Sequence, residues 1–518
     1  MYEQNPFGNP DGARADLREI ESAFITDFPY GISINKYPSE ILNKRVIVGA
    51  KGSGKTVYLR KIQSMLKQRE EDNASIFVDG DLEQNLNCTD RVIAFCDLYS
   101  QQTLSEKWTK LWEISILTTI AYKFLCNTRL SNYINNNDFL EIKDILTSFP
   151  FLSKVDKEFK CEYSIYSFFQ ILLAESISKD RMDKMLNNPG YLQLKRKLQS
   201  VLRNAPELYF FLDSIDLEYE HAPLHWAMCQ KGLFYAVYIF LQDSIWGEKL
   251  HLIITLRDNV FTSILRSEHS TKFSNESHIF LLSWDTHNIK YFLEQKIKSL
   301  KDCFFISNDY ETQGKTVNSW LGLSTIMNEY GQEEKIDNFI IRHTRQVPRD
   351  VIIICNELAT IRSELEHNHD LNIVERITDI VLANSKGIGA ELITICAKNL
   401  TANHLPSKAG VYRYSDGFTA SQYYHESTYQ KLLNLLQAKI KQNSFGYEVI
   451  AELENEANLE FDNKSFLPDI LWQNGVLGYL DKNKSVFYAQ SFKGDTLLPK
   501  GKEKYIIRSC IEQKIEII

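Results

Sequence analysis

Gly49-Ala50-Lys51-Gly52-Ser53-Gly54-Lys55-Thr56 is the segment of this chain whose residue types and spacing are best suited to chemistry. It fits the pattern GxxxxGK followed by Ser or Thr. Glycines carry no Cβ, so successive backbone N–H groups can curl around a phosphate. Lys55 places a point charge on the β and γ oxygens of a nucleotide, and Thr56 offers a hydroxyl to Mg2+. A helix opening near Lys55 would aim its positive end at the same anion. The whole run Gly49, Ala50, Lys51, Gly52, Ser53, Gly54, Lys55 and Thr56 is therefore the expected cradle, with ATP and Mg2+ as the expected cofactors.

Hydrolysis needs carboxylates as well. Leu208-Tyr209-Phe210-Phe211-Leu212-Asp213 reads as an apolar strand ending in an acid. At the carboxyl end of a parallel strand, Asp213 would reach the magnesium beside the loop. Asp216 and Glu218 follow closely, and either could orient the attacking water; a place as solvated loop acids is the alternative. A further strand, Leu250-His251-Leu252-Ile253-Ile254-Thr255, ends in a polar residue and is followed by Arg257. A guanidinium there could meet the γ-phosphate, or pair with Asp258 on the surface. Lower down, Arg345-Gln346-Val347-Pro348-Arg349-Asp350 precedes an apolar helix, with proline natural at its first turn. Arg349 or Arg345 could reach a nucleotide from there, or brace the helices.

The elements that must position these residues follow from patterning. Arg45-Val46-Ile47-Val48, Ser75-Ile76-Phe77-Val78 and the two strands above are apolar at consecutive positions, which suits a parallel sheet covered on both faces. Helical patterns separate them, so the first half reads as α/β. From about 100 to 202 the pattern is helical: Leu104, Trp108, Leu111, Ile114, Leu117, Ala121 and Phe124 recur every three or four residues. This is the expected insertion between strands. Residues 285–400 read as mainly helical, with Gly387-Ile388-Gly389 as a turn or helix interruption. The expected organisation is a segment 1–39 packing on the core, a core 40–282, a helical lid 283–404, a linker 405–424 and a unit 425–518. In that last unit three helices (427–441, 446–458, 465–474) precede a β-hairpin at 475–480 and 485–490, the order of a winged helix.

Composition sets outer bounds. The chain has 518 residues, 44% apolar and 24% charged, which excludes a collagen-like or largely disordered protein. A formal charge of −8 does not suit a general nucleic-acid coat. Nine cysteines without a CxxC pair point to a reducing compartment with no disulfide frame and no zinc ribbon. Met1 to Pro10 is polar and lacks the apolar core of a secretory signal, and the longest apolar run, Leu233 to Leu241, has nine residues. The expectation is a cytoplasmic protein with no membrane partner.

The loop GAKGSGKT, the FLDSID strand with its acids and the TLRD after the later strand resemble P-loop ATPases of the STAND and AAA+ type. The resemblance implies that Arg257 reads the γ-phosphate and that Thr255 is the polar residue of the sensor strand. Asp213 followed by Asp216 is similar to the family's acid pair. The common Asp-Glu ending is absent, because Leu217 follows Asp216, so Asp216 and Glu218 both stay open as the catalytic acid. Asn5-Pro6-Phe7-Gly8, Trp108 and Trp112, Ser283-Trp284-Asp285, Pro348-Arg349-Asp350, Leu471-Trp472 and Gly475 to Tyr479 resemble a bacterial group of stand-alone P-loop ATPases labelled as DNA-repair or phage-defence proteins.

Three functions follow as expectations. In the first, ATP binding and hydrolysis drive a switch that assembles with itself or controls a separately encoded effector, for instance in anti-phage defence. The second is a DNA-handling ATPase whose winged helix docks on a duplex; Glu426 to Ile518 carries 12 basic and 13 acidic residues, a net of 12 − 13 = −1, with Lys482, Lys484, Lys500, Lys502 and Lys504 as a modest patch. The third, a small-molecule kinase, is disfavoured by the long insertion and the lid.

Overall fold

A computed structural model describes residues 5–17, 43–72, 75–79, 88–154, 162–176, 178–213, 223–265, 277–402, 420–461, 467–482, 486–489 and 497–517. Its centre is a parallel sheet of β1 (Val46–Gly49), β2 (Ile76–Val78), β3 (Glu207–Leu212), β4 (Leu250–Arg257) and β5 (Ile279–Leu282), in the order β2-β3-β4-β1-β5. The fold is thus α/β. Because neighbouring side chains on a strand point to opposite faces, consecutive apolar residues feed two separate cores. Val46, Val48, Phe210, Leu212, Ile254 and Leu256 face one; Ile47, Ile76, Tyr209, Phe211, Ile253 and Phe280 face the other.

The first face is covered by the helices between β2 and β3 and by the helix Pro223–Gln242. The insertion begins with the helix Thr89–Asp97, earlier than the patterning indicates, and its spine is the helix Gln101–Cys126. From Ile114 to Leu125 this helix is buried on every side, whereas its first turns carry exposed Gln102, Thr103 and Glu106. Trp108 and Trp112 stack against Phe169, with ring centroids 6.0 and 3.9 Å away. At Gly232 a Cβ would lie 2.3 Å from the Cβ of Trp108, so glycine is what lets the two long helices touch.

The second face carries the helix Lys55–Asp72, the mostly helical stretch Thr286–Ala402 and the C-terminal unit, all in one continuous apolar core. That stretch also holds a small antiparallel hairpin, β6 (Thr325–Met327) with β7 (Glu333–Lys335), which its polar sequence conceals. Gly387, Ile388 and Gly389 do not interrupt a helix. They lie inside the helix Ile373–Ala402, and at Gly389 a Cβ would fall 2.0 Å from the carbonyl oxygen of Cys510. The glycine there serves close helix packing rather than chain reversal.

The C-terminal unit contains the helices Ala420–Lys439, Tyr447–Glu460, Leu467–Gln473 and Ser509–Ile515. Its antiparallel sheet is built of β8 (Ser444–Phe445), β9 (Leu477–Leu480), β10 (Val486–Tyr488) and β11 (Lys504–Ile507), in the order β10-β9-β11-β8. The hairpin pairs Val486 with Leu480. Of the expected linker, 420–424 begin the helix Ala420–Lys439, and 405–419 lie outside the described residues.

One expectation from composition is corrected. Cys126 is disulfide-bonded, so the cysteines are not all free thiols. Among the described residues, one helix is long and apolar enough to cross a membrane by length and composition, over Ile373–Leu400. Half of its most apolar window is buried inside the protein, and Ile377, Val381, Ile393 and Cys396 belong to the second core. Counting unbroken apolar runs misses such a helix, because isolated polar residues punctuate it.

Candidate functional site

The loop, Asp213 and Arg257 all meet the carboxyl edge of the sheet, where an open parallel sheet places its crevice. Gly49 ends β1, and a Cβ on it would stand 2.5 Å from Ser53 Oγ. Gly52 and Gly54 have φ of +84° and +96°, a conformation that L side chains avoid. The chain therefore turns tightly enough for Lys55 Nζ to donate to the carbonyls of Gly49 at 2.9 Å and Ala50 at 3.1 Å. The first helical bond follows at once, from Tyr58 N–H to Gly54 O at 3.1 Å.

Ser53 Oγ tests whether the loop fits an anion. It is buried and has no hydrogen-bond partner among the described residues. Leaving a buried hydroxyl unpaired costs about 1–3 kcal/mol. An orphan hydroxyl inside a glycine-rich turn, beside an ammonium, fits a phosphate group. The residues placed to hold one are the backbone of 50–55, Ser53 and Lys55, with Thr56 at the opening of the helix Lys55–Asp72.

The loop is held from outside by three contacts. The indole N–H of Trp284 donates to Ser53 O at 3.0 Å. The backbone N–H of Arg349 donates to Gly52 O at 3.3 Å, and the Arg349 Cβ lies 3.0 Å from where a Gly52 Cβ would be. The segment 5–17 flanks the helix start. Phe7 N–H donates to Asn356 Oδ1 and Asn356 Nδ2 donates to Gly8 O, each at 2.9 Å. Arg60 donates to Gly12 O at 2.6 Å and Ala15 O at 2.8 Å.

Asp213 directly follows β3 and is buried. Thr255 Oγ1 donates to its Oδ1 at 2.7 Å, and the Tyr166 hydroxyl donates to its main-chain carbonyl at 2.5 Å. Tyr166 belongs to the helix Ile165–Leu173, so the insertion reaches the acid itself. β4 lies between β1 and β3, which puts Thr255 between loop and acid. β4 continues to Arg257, so that residue ends the strand rather than following it. It is buried and sits beside Gly49 in register. Asp216 and Glu218 lie outside the described residues.

The two lower arginines separate. Arg345 makes a two-pronged pair with buried Asp350, at 2.8 and 2.6 Å. Burial opposes its charge, but Asp350 and Glu391 outweigh that and keep it protonated. Gln346 then adopts φ 60°, turning the chain so that Pro348 opens the helix Pro348–Leu358 and Arg349 lies over the loop. Glu391, which the sequence does not single out, lies 2.9 Å from Lys51, 3.0 Å from Arg345 and 3.9 Å from Arg349. Its place between three cations exists only once the helix Ile373–Ala402 is folded over the loop. Tyr166 and Asn356 were equally invisible, since each acts on the main chain of a distant segment.

No family model matches the chain, and neither a curated protein nor a solved structure matches it.

Proposed function

We propose that this chain is an ATP-binding and ATP-hydrolysing switch of the P-loop class, with Mg2+, built as an ATPase core, a helical lid over Thr286–Ala402 and a C-terminal winged helix. The loop carries the reading: two positive-φ glycines, a lysine folded onto the loop carbonyls and a buried hydroxyl without a partner. The order β2-β3-β4-β1-β5, with a polar-ended strand between the loop strand and the acid strand, supports it.

The chain's own residues divide the work. Backbone amides and Lys55 bind the phosphates, and Thr56 and Asp213 hold the metal. When bound, Mg2+ supplies charge neutralisation at the phosphate oxygens. Thr255 fixes the Asp213 carboxylate in the orientation that Tyr166 sets through the main chain. Arg257 and Arg349 provide cations from the sheet edge and the lid. Asp216 or Glu218 orients the attacking water.

A switch is favoured over a DNA reader by the C-terminal unit. The third helix of a winged helix enters a groove with an exposed face. Here Leu467, Pro468, Ile470, Leu471 and Trp472 of Leu467–Gln473 are buried, and Asp469 accepts from Leu498 N–H. The unit shares its core with the lid, which suits a body that moves with nucleotide state. Self-assembly or control of a separately encoded effector, as in anti-phage defence, is the output we assign; the cytoplasm is the compartment. Calorimetric titration with ATP and ADP tests the site, and mass measurement with ADP against a non-hydrolysable ATP analogue tests the switch. Heat from neither nucleotide would remove the proposal.

A further inference from the structure

Three cations gather on one carboxylate at the mouth of the loop. Glu391 Oε1 is 2.9 Å from Lys51 Nζ and 3.9 Å from Arg349, while Oε2 is 3.0 Å from Arg345. Lys51 is a loop residue, and Arg349 packs directly on Gly52. Arg345 already has a counter-ion in Asp350 and serves as the fixed post of the cluster. Burial pushes the Glu391 carboxyl up, but Arg345, Lys51 and Arg349 together outweigh burial and hold it below its ordinary value. It is an anion at neutral pH, seated among cations that face a phosphate-shaped loop.

The helix bearing Glu391 is also the seat of the C-terminal unit. Two residues away, Gly389 meets the Cys510 carbonyl so closely that a Cβ would be 2.0 Å from it. Lys386 pairs with Glu516 at 2.7 Å. Glu391 also lines a groove of about 330 Å³, together with Asp350, Ile353, Glu357, Asn384 and Ile388.

We propose that Glu391 is an internal anion that competes with nucleotide phosphate for Lys51 and Arg349, and so latches the helix Ile373–Ala402 and the C-terminal unit to the loop until nucleotide enters. This rests on the nucleotide reading of the loop and adds its regulation. A like-charged phosphate arriving at the loop repels the carboxylate and takes its cations. The helix is then freed at that end, and the terminal helix Ser509–Ile515 follows it because the two backbones are in contact at Gly389.

The opposite role, in which Glu391 merely aims Arg349 at phosphate, gives the opposite sign, so affinity decides. Calorimetry with ADP and with a non-hydrolysable ATP analogue would compare wild type, Glu391→Gln and Glu391→Asp in the full chain. The latch predicts nucleotide binding about fivefold tighter in Glu391→Gln, the scale of one partly exposed charge pair, with Glu391→Asp in between and available should the Gln variant misfold. Hydrogen exchange is the second readout. Nucleotide should raise exchange at 386–392 and 509–515 in wild type, and Glu391→Gln should show the raised level without nucleotide. Equal or weaker binding by Glu391→Gln, or no response at 509–515 in wild type, would overturn the latch alone. Absence of nucleotide binding by wild type would overturn the site reading and the latch with it.

Discussion

Lys55 folds its ammonium back onto two carbonyls of its own loop, so its charge is stored where a phosphate would claim it. Hydrogen bonds to charged groups are worth about 1.5–3 kcal/mol. Lys55→Ala should therefore weaken ATP binding about 10- to 100-fold in calorimetry while leaving the fold intact. Asp213→Asn should abolish Mg2+-dependent phosphate release with binding largely kept. Thr255→Val removes the donor to buried Asp213 and should cost about 1–3 kcal/mol of stability, read as a lower Tm, together with slower turnover. At the amino end of β3, the His251 ring nitrogen 3.2 Å away and the Tyr209 hydroxyl, which donates at 2.7 Å, hold Glu207 down to about 2, against an ordinary 4.5. A carboxyl with a depressed value stabilises the fold above its ordinary value and loses that contribution as pH falls. The Tm difference between wild type and Glu207→Gln should thus be constant above about pH 4.5 and shrink towards pH 2.

Elements explain what could and could not be read in advance. β1, β3 and β4 announce themselves because strands buried on both faces are apolar throughout. The glycine loop was legible because its chemistry is local. β5 escaped notice: it is four residues long and only alternately buried, as an edge strand is. The hairpin of β6 and β7 is hidden by its Glu333, Glu334 and Lys335. Gly389 misled because a glycine that breaks a helix and one that lets a second helix approach look the same in a sequence. Its substitution separates the two meanings. Gly389→Ala should lower Tm through overpacking worth about 1–3 kcal/mol, whereas at a true helix break alanine would be neutral or stabilising. Glu391, Tyr166 and Asn356 were illegible for one reason: each partner lies 40 or more residues away, and only the folded topology joins them.

At the scale of the molecule the parallel sheet is a partition between two apolar cores. The helices between β2 and β3 occupy one side, and the mostly helical stretch 286–402 with the C-terminal unit the other. Nucleotide at a hundredfold excess over its Kd should add about 2.7 kcal/mol to the folded state, visible as a Tm rise that Lys55→Ala, at the same nucleotide concentration, should cut to about 0.4–1.4 kcal/mol. Tyr166 is where the insertion meets the partition's edge, and it touches the acid's main chain rather than the loop. Tyr166→Phe should accordingly slow phosphate release several-fold and leave Kd for ATP unchanged, a split that steady-state kinetics beside calorimetry would resolve. The two halves then have separate levers on the pocket. A protein gripping the insertion would set the lifetime of the triphosphate, and one pulling on the C-terminal unit would set its residence.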